Sequence, residues 1–114
     1  MISITVYRDK SDGSNRGFKI QGHSGYAKSG FDIICAAVSA TAYNALNGLE
    51  EIAGLKDFYE ISDSGMINCK VPSKKGMNQK TAETAEVILR LTVMGFEQLC
   101  SQHGKYISTL NEEV

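Results

Sequence analysis

The sequence predicts an α+β fold, a single two-layer α/β domain in which two long helices pack on one mixed sheet in the order ββαββαβ. Three observations lead there. Short runs alternate apolar with polar residues and are separated by turn-forming residues. Two longer segments carry helical apolar patterns. The length of 114 residues, 42% of them hydrophobic, suits one core without disulfide staples or a structural metal. No linker or low-complexity tract divides residues 1–114, so the whole chain reads as one domain.

Ile2, Ile4 and Val6 alternate with Ser3, Thr5 and Tyr7, which predicts a half-buried strand ending near Arg8. Asp12-Gly13 and Ser14-Asn15 supply turn chemistry, and Phe18 and Ile20 restart the alternation up to Gly22, giving a hairpin. His23 to Phe31 has no sustained period and holds Gly25 and Gly30, the composition of a mobile loop. Ile33 to about Ala53 is rich in alanine, leucine and isoleucine, with Asp32 as its N-cap and Gly54 as its stop. Its apolar residues nearly encircle it, so it should be buried on more than one side. Phe58–Ile61 and Met66–Val71 flank Ser62-Asp63-Ser64-Gly65 as a second hairpin. A second helix is expected from about Asn78 to His103, with Ala85, Ile88, Leu89, Thr92, Phe96, Leu99 and Cys100 near one face and Gly104 as its stop. Tyr106–Leu110 reads as a last short strand, followed by a polar tail of Asn111, Glu112, Glu113 and Val114.

Charge and composition exclude several classes. With 12 Lys+Arg against 13 Asp+Glu the net charge is −1, so there is no broad basic field and no direct binding to nucleic acid is expected. Lys70, Lys74, Lys75 and Lys80 form a modest basic cluster, read as solvated surface with docking on a ribonucleoprotein as the alternative. No apolar run is long enough for a membrane span, and Met1-Ile2-Ser3-Ile4 does not open a signal peptide, so a cytoplasmic protein is expected. Cys35, Cys69 and Cys100 cannot all pair within one chain and form no C-x-x-C, which argues against a disulfide framework or a zinc knuckle.

Chemistry concentrates between Gly22 and Ser39, where His23 follows a strand and Cys35 falls in the first turn of a helix. If Asp32 is the N-cap, Cys35 is the third helical residue, where unpaired N–H groups and the positive end of the dipole favour a thiolate. An ordinary cysteine, with a pKa of about 8.5, is only a few per cent ionised at neutral pH. An imidazolium from His23, folded back by the intervening loop, would add to the helix effect, and the pair suits thiolate attack on a carbonyl. The same residues also have plain readings: a small apolar cysteine in an alanine-rich helix, and a loop histidine. Asp32 either caps the helix or orients His23. Cys69, alternating with Ile67 and Val71, and Cys100, on the apolar face of the second helix, read as core, and His103 as a favourable charge at a helix C-terminus.

Gly22-His23, followed by Gly30-x-Asp32-Ile33-Ile34-Cys35-Ala36-Ala37-Val38-Ser39, resembles the signature of the ribosomal-processing cysteine protease family, Prp, a group of small bacterial proteins. The similarity spans essentially the whole chain in length and element order, with Ser24 where alanine is more usual and Ile34 where valine is common. It implies a cysteine endopeptidase that removes an N-terminal extension from large-subunit ribosomal protein twenty-seven, cutting after an aromatic residue, as a step in ribosome maturation. It also implies His23 and Cys35 as the catalytic dyad, Asp32, Ser39 and Gly22 in support, and a loop containing Gly25 and Gly30 that orders on substrate. The resemblance also implies a homodimer that needs no metal or cofactor. The rival reading is a non-catalytic ribosome-associated binding module, with a thioesterase as a more distant enzymatic alternative.

Overall fold

Alternation puts the apolar side chains of each strand on one face, and pairing aligns them across the sheet. The computed structural model describes residues 1–22 and 31–114, without the side chains of Phe31 and Asp32. The first hairpin joins β1 (Ile2–Arg8) and β2 (Asn15–Gln21), with Ile4 opposite Ile20 and Val6 opposite Phe18. β2 starts before its alternation does, because a register shift at Tyr7/Arg8 lets Arg8 pair with Asn15. The second hairpin joins β3 (Tyr59–Ile61) and β4 (Ile67–Lys70), both slightly shorter than the sequence suggested. Strand order is β3-β4-β2-β1-β5, and every pair is antiparallel except β1 with β5 (Ile107–Glu113).

β5 departs from expectation: the tail read as irregular is strand as far as Glu113. Its parallel register sets Asn111 against Val6 and Glu113 against Arg8. Backbone pairing with β1 suffices to hold it, and an edge strand tolerates polar and charged side chains because they remain in water.

Helix α1 (Phe31–Glu51) begins two residues earlier than predicted and ends two residues earlier. Asp32 therefore lies in the first turn instead of preceding it; an acidic residue there still faces the positive end of the dipole. Gly54 stops the helix, with Leu55 N–H returning to the Leu49 carbonyl at 3.0 Å. Helix α2 (Gln79–Gln102) matches its prediction closely: Asn78 caps it by accepting from Thr81 N–H at 2.9 Å, and His103 is its C-cap. The expected face is buried through Ala85, Leu89, Thr92 and Phe96, with Val93 added.

The core lies between the helices and one sheet face. Ile2, Ile4, Phe18, Ile20, Ile67 and Ile107 meet Val38, Ala42, Leu49, Leu89 and Phe96 there. The Phe18 and Phe96 rings stack edge to face at 5.3 Å between centroids and tie α2 to β2. At the first hairpin, Asp9 accepts from the Ser11 hydroxyl and N–H and pairs with Arg16 at 3.1 Å. The predicted lysine cluster is partly dissolved by pairing. Lys74 bridges Asp12 at 3.5 Å and Glu86 at 3.2 Å, and the Lys70 ammonium sits 4.6 Å from the Tyr7 ring centroid.

Phe96→Ala should cost about 3–5 kcal/mol in chemical denaturation, the range for deleting a buried aromatic ring. Asp9 gives a pH signature. The Ser11 hydrogen bonds, and then Arg16, hold its carboxyl down at about 2, against an ordinary value of about 3.9. Because the folded value is depressed, the stabilisation is full above about pH 4 and lost as pH falls toward 2. Asp9→Asn should flatten the acid limb of unfolding midpoint against pH over that window, and an unchanged limb would show that Asp9 does not contribute.

Candidate active site

One end of the sheet holds Gly22 and the start of α1, the described parts of the segment singled out by sequence. β2 runs into Gly22 at this end, beside the start of β1, where Ser3 pairs with Gln21, and the start of β5, where Ile2 pairs with Ile107. The two helices are antiparallel, with Gly95 against Thr41 and Gly48 against Ile88. The N-terminus of α1 therefore stands at the same end as the C-terminus of α2. Ile2 N–H donates to the Tyr106 carbonyl at 2.8 Å and closes this corner of the sheet.

α1 places positions 32, 35 and 39 on one side, at spacings of three and four residues. Cys35 is partly buried and packs against the core, Ser39 is partly buried one turn later, and Ile34 and Val38 face fully inward. With the helix starting at Phe31, Cys35 is its fifth residue, not its third. The fifth position is still near the helix start, because Cα–Cβ bonds lean toward the N-terminus. The Cα–Cβ bond of Cys35 thus tilts toward the first turn, whose N–H groups have no intrahelical acceptor and whose dipole favours an anion. The Asp32 side chain, His23, and the loop glycines Gly25 and Gly30 lie outside the described residues, as does the predicted loop from Ser24 to Gly30.

Gly22 supplies a geometric reason for its place in the motif. Its φ is +82°, and a Cβ there would overlap the Met1 carbonyl oxygen. Only glycine takes that conformation against the neighbouring backbone without strain, so the residue leading into His23 has a fixed path out of the sheet.

The other cysteines behave as core. Cys69 is fully buried, and burial pushes its thiol up to about 12, which keeps it protonated and inert. The Cys100 thiol donates to the Ile107 carbonyl at 3.5 Å, between α2 and β5. His103 caps α2 through its own N–H to the Leu99 carbonyl at 2.8 Å. Among the described residues no three His, Cys, Asp or Glu are grouped to hold a metal ion, and no helix is long and apolar enough to cross a membrane. A cleft of about 330 Å³ between the first hairpin and α2 is lined by Arg8, Asn15, Glu86 and Arg90. It lies at the opposite end of the sheet and has neither cysteine nor histidine in its wall.

Two surface features were not located by sequence reasoning. α2 exposes Val87, Leu91 and Met94, two-thirds, two-thirds and 58% accessible, as a second apolar stripe facing away from the core. The breadth of apolar surface on this helix was visible in the sequence and pointed to a second copy; which residues stay outside the core was not. The apolar side of β3 is also exposed, and a three-residue strand gives too little alternation to reveal it.

Comparison with known proteins identifies the family and the fold. The family model described as cysteine protease Prp matches residues 1–108. The ribosomal processing cysteine protease Prp of Bacillus subtilis (strain 168) is 25% identical over 100 residues, 87% of each chain. The crystal structure of SMU.848 from Streptococcus mutans superimposes with a TM-score of 0.84 at 25% identity, covering 100% of this chain and 96% of that one. The S. aureus ribosomal processing protease Prp, crystallised with a substrate peptide, has the same fold, with a TM-score of 0.82 at 17% identity over 98% of this chain and 100% of that one. A cysteine within the opening turns of α1, a glycine shaped to lead the preceding strand out of the sheet, and a family match along nearly the whole chain lead to one conclusion: this chain belongs to the Prp family of cysteine proteases.

Proposed function

We propose that this protein is a cytoplasmic endopeptidase that removes the N-terminal extension of large-subunit ribosomal protein twenty-seven after an aromatic residue, with Cys35 and His23 as its catalytic dyad. The observation that carries the reading is the position of Cys35 near the start of α1, at the sheet end where Gly22 leads into His23. The B. subtilis relative is named for ribosomal processing, and the S. aureus structure holds a substrate peptide, which support a ribosomal protein as the substrate.

The chemistry needs no metal or cofactor. The Cys35 thiolate attacks the scissile carbonyl carbon, and the oxyanion that forms is stabilised by backbone N–H groups near the start of α1. The His23 imidazolium then protonates the leaving amine as the C–N bond breaks, leaving a thioester on Cys35. Neutral His23 takes a proton from water, which attacks the thioester and releases the new carboxyl group, restoring the thiolate and imidazolium. Gly22 fixes the approach to His23, Asp32 supports the helix start or orients His23, and Ser39 supports the site one turn beyond Cys35. The loop containing Gly25 and Gly30 orders over bound peptide and excludes water.

The working unit is a homodimer. Val87, Leu91 and Met94 form a continuous exposed stripe at i, i+4 and i+7. An antiparallel pairing about a two-fold axis sets Val87 of one copy against Met94 of the other, covering apolar surface that a monomer leaves wet.

Cys35→Ala should lower cleavage of the extended ribosomal protein, read by mass spectrometry, by at least about 10⁴-fold with unchanged circular dichroism, since only the nucleophile is lost. His23→Ala should lose nearly all activity and slow alkylation of Cys35 near neutral pH; an alkylation–pH profile identical to wild type would refute the dyad. Leu91→Glu should convert the dimer to a monomer by light scattering while preserving helix content. A wild-type protein already monomeric at about 10 μM, a concentration at which an interface of standard size would hold, would remove the dimer without touching the catalytic assignment.

A further inference from the structure

An antiparallel ladder uses the backbone groups of alternate residues, and those of the residues between them face the other way. In the second hairpin the Phe58 carbonyl accepts from Lys70 N–H and Ser62 N–H donates to the Met66 carbonyl, both at 2.9 Å, while Glu60 pairs with Asn68. Residues 58, 60 and 62 therefore turn their groups toward β4, and Tyr59 and Ile61 turn theirs outward. β3 is the last strand of the sheet, so among the described residues no strand pairs with this edge.

Two rows of the core run out onto the same edge. Ile4, Ile20, Ile67 and Ile61 lie level across four strands, as do Val6, Phe18, Cys69 and Tyr59. The inner three of each row are buried, but Ile61 is 44% and Tyr59 40% exposed, because the apolar layer ends there uncovered. β3 runs parallel to β2, so Ile61 lies toward the sheet end that holds Gly22 and the start of α1. The flanking segment, residues 56–63, has one lysine (Lys56) against three carboxylates (Asp57, Glu60 and Asp63). The opposite edge, β5, is polar beyond Ile107 except for Leu110, and it lacks such paired apolar rows.

We propose that the β3 edge is the docking strand for the substrate: an extended, cationic peptide adds to the sheet beside Tyr59 and Ile61 and is thereby led toward Cys35. The inference rests on the protease reading for its occupant. Strand addition takes affinity from main-chain hydrogen bonds and specificity from alternate side chains. Here one side of the peptide would extend the two apolar rows, and its positive charges would meet Asp57, Glu60 and Asp63. A strand-addition site also holds the peptide extended, the conformation that exposes a scissile carbonyl to a nucleophile.

The test uses Cys35→Ala protein and a fluorescein-labelled synthetic peptide with the extended N-terminal sequence of ribosomal protein twenty-seven, titrated by anisotropy. Single N-methylation at successive residues should weaken binding about tenfold at every second position, where the lost N–H faced β3, and little between, a tenfold step being about 1.4 kcal/mol. Ile61→Pro, which deletes an outward N–H and no β3–β4 bond, should weaken the unmethylated peptide to a similar degree. In the otherwise wild-type enzyme it should raise KM and leave the iodoacetamide alkylation rate of Cys35 unchanged, while Ile61→Thr, which keeps the N–H, should preserve the alternation. Losses without alternation, no saturable binding, or wild-type affinity in Ile61→Pro would overturn the proposal. So would an Ile61→Pro protein that changes oligomeric mass but binds peptide normally, since the edge would then belong to a second copy. Cleavage by wild type with a flat methylation scan sinks the docking strand and leaves the protease; alternating affinity without cleavage does the reverse.

Discussion

The close approach of α1 and α2 is the constraint on which the arrangement depends. Side chains added at Gly95 and Gly48 would meet Thr41 at 3.3 Å and Ile88 at 3.5 Å, so the helices are in contact where residues are smallest. Two helices this close fit side by side over one face of a five-stranded sheet, and both can reach the same layer of Ile4, Phe18, Ile20 and Ile67. Their antiparallel alignment fixes which end of α1 stands above which end of the sheet. The depth and axial position of Cys35 on α1 follow from that contact.

The two long elements also divide their labour. α1 gives its inward face to the core, and its first turns carry Cys35, at the end of the helix whose dipole favours an anion. α2 is the structural partner: Phe96 locks it to β2, Asn78 caps it, and Lys74 anchors its approach through Asp12 and Glu86. Cysteine chemistry is sorted by the same architecture. Burial disables Cys69 inside the sheet, Cys100 is turned to a carbonyl of β5, and Cys35 stands where a helix start can stabilise negative charge.

Much of this was legible in the residues, and the failures have physical causes. Strand alternation at Ile2–Val6, the start of α2 near Asn78 and the turn Ser62–Gly65 are local signals, so they could be read without tertiary information. The strand nature of Asn111–Glu113 could not, because it comes from main-chain pairing with β1, some hundred residues away, and leaves no mark in side-chain pattern. The early start of α1 shifted Cys35 from the third to the fifth helical position, a boundary error of the size that terminal fraying and weak capping signals produce. The proposed nucleophile stood out only through the company of Gly22, His23, Asp32 and Ser39, since a cysteine among alanines reads equally well as packing.

The parallel pairing of β1 with β5 has a consequence for how the molecule is made. Ile2 meets Ile107 and Arg8 meets Glu113, contacts between residues about as far apart as this chain allows. Such pairings raise contact order and slow folding, because a long segment must be closed before its contacts reward it. On the ribosome β1 is synthesised first and must wait for β5 on one side, while its hairpin with β2 can form at once. Until then a nascent chain would present the β1 edge unpaired, an interval in which association with other strands competes with completion. The bond from Ile2 to Tyr106 closes the sheet end at which α1 begins, so a chain interrupted before β5 would leave that end open as well as lack a strand of the sheet.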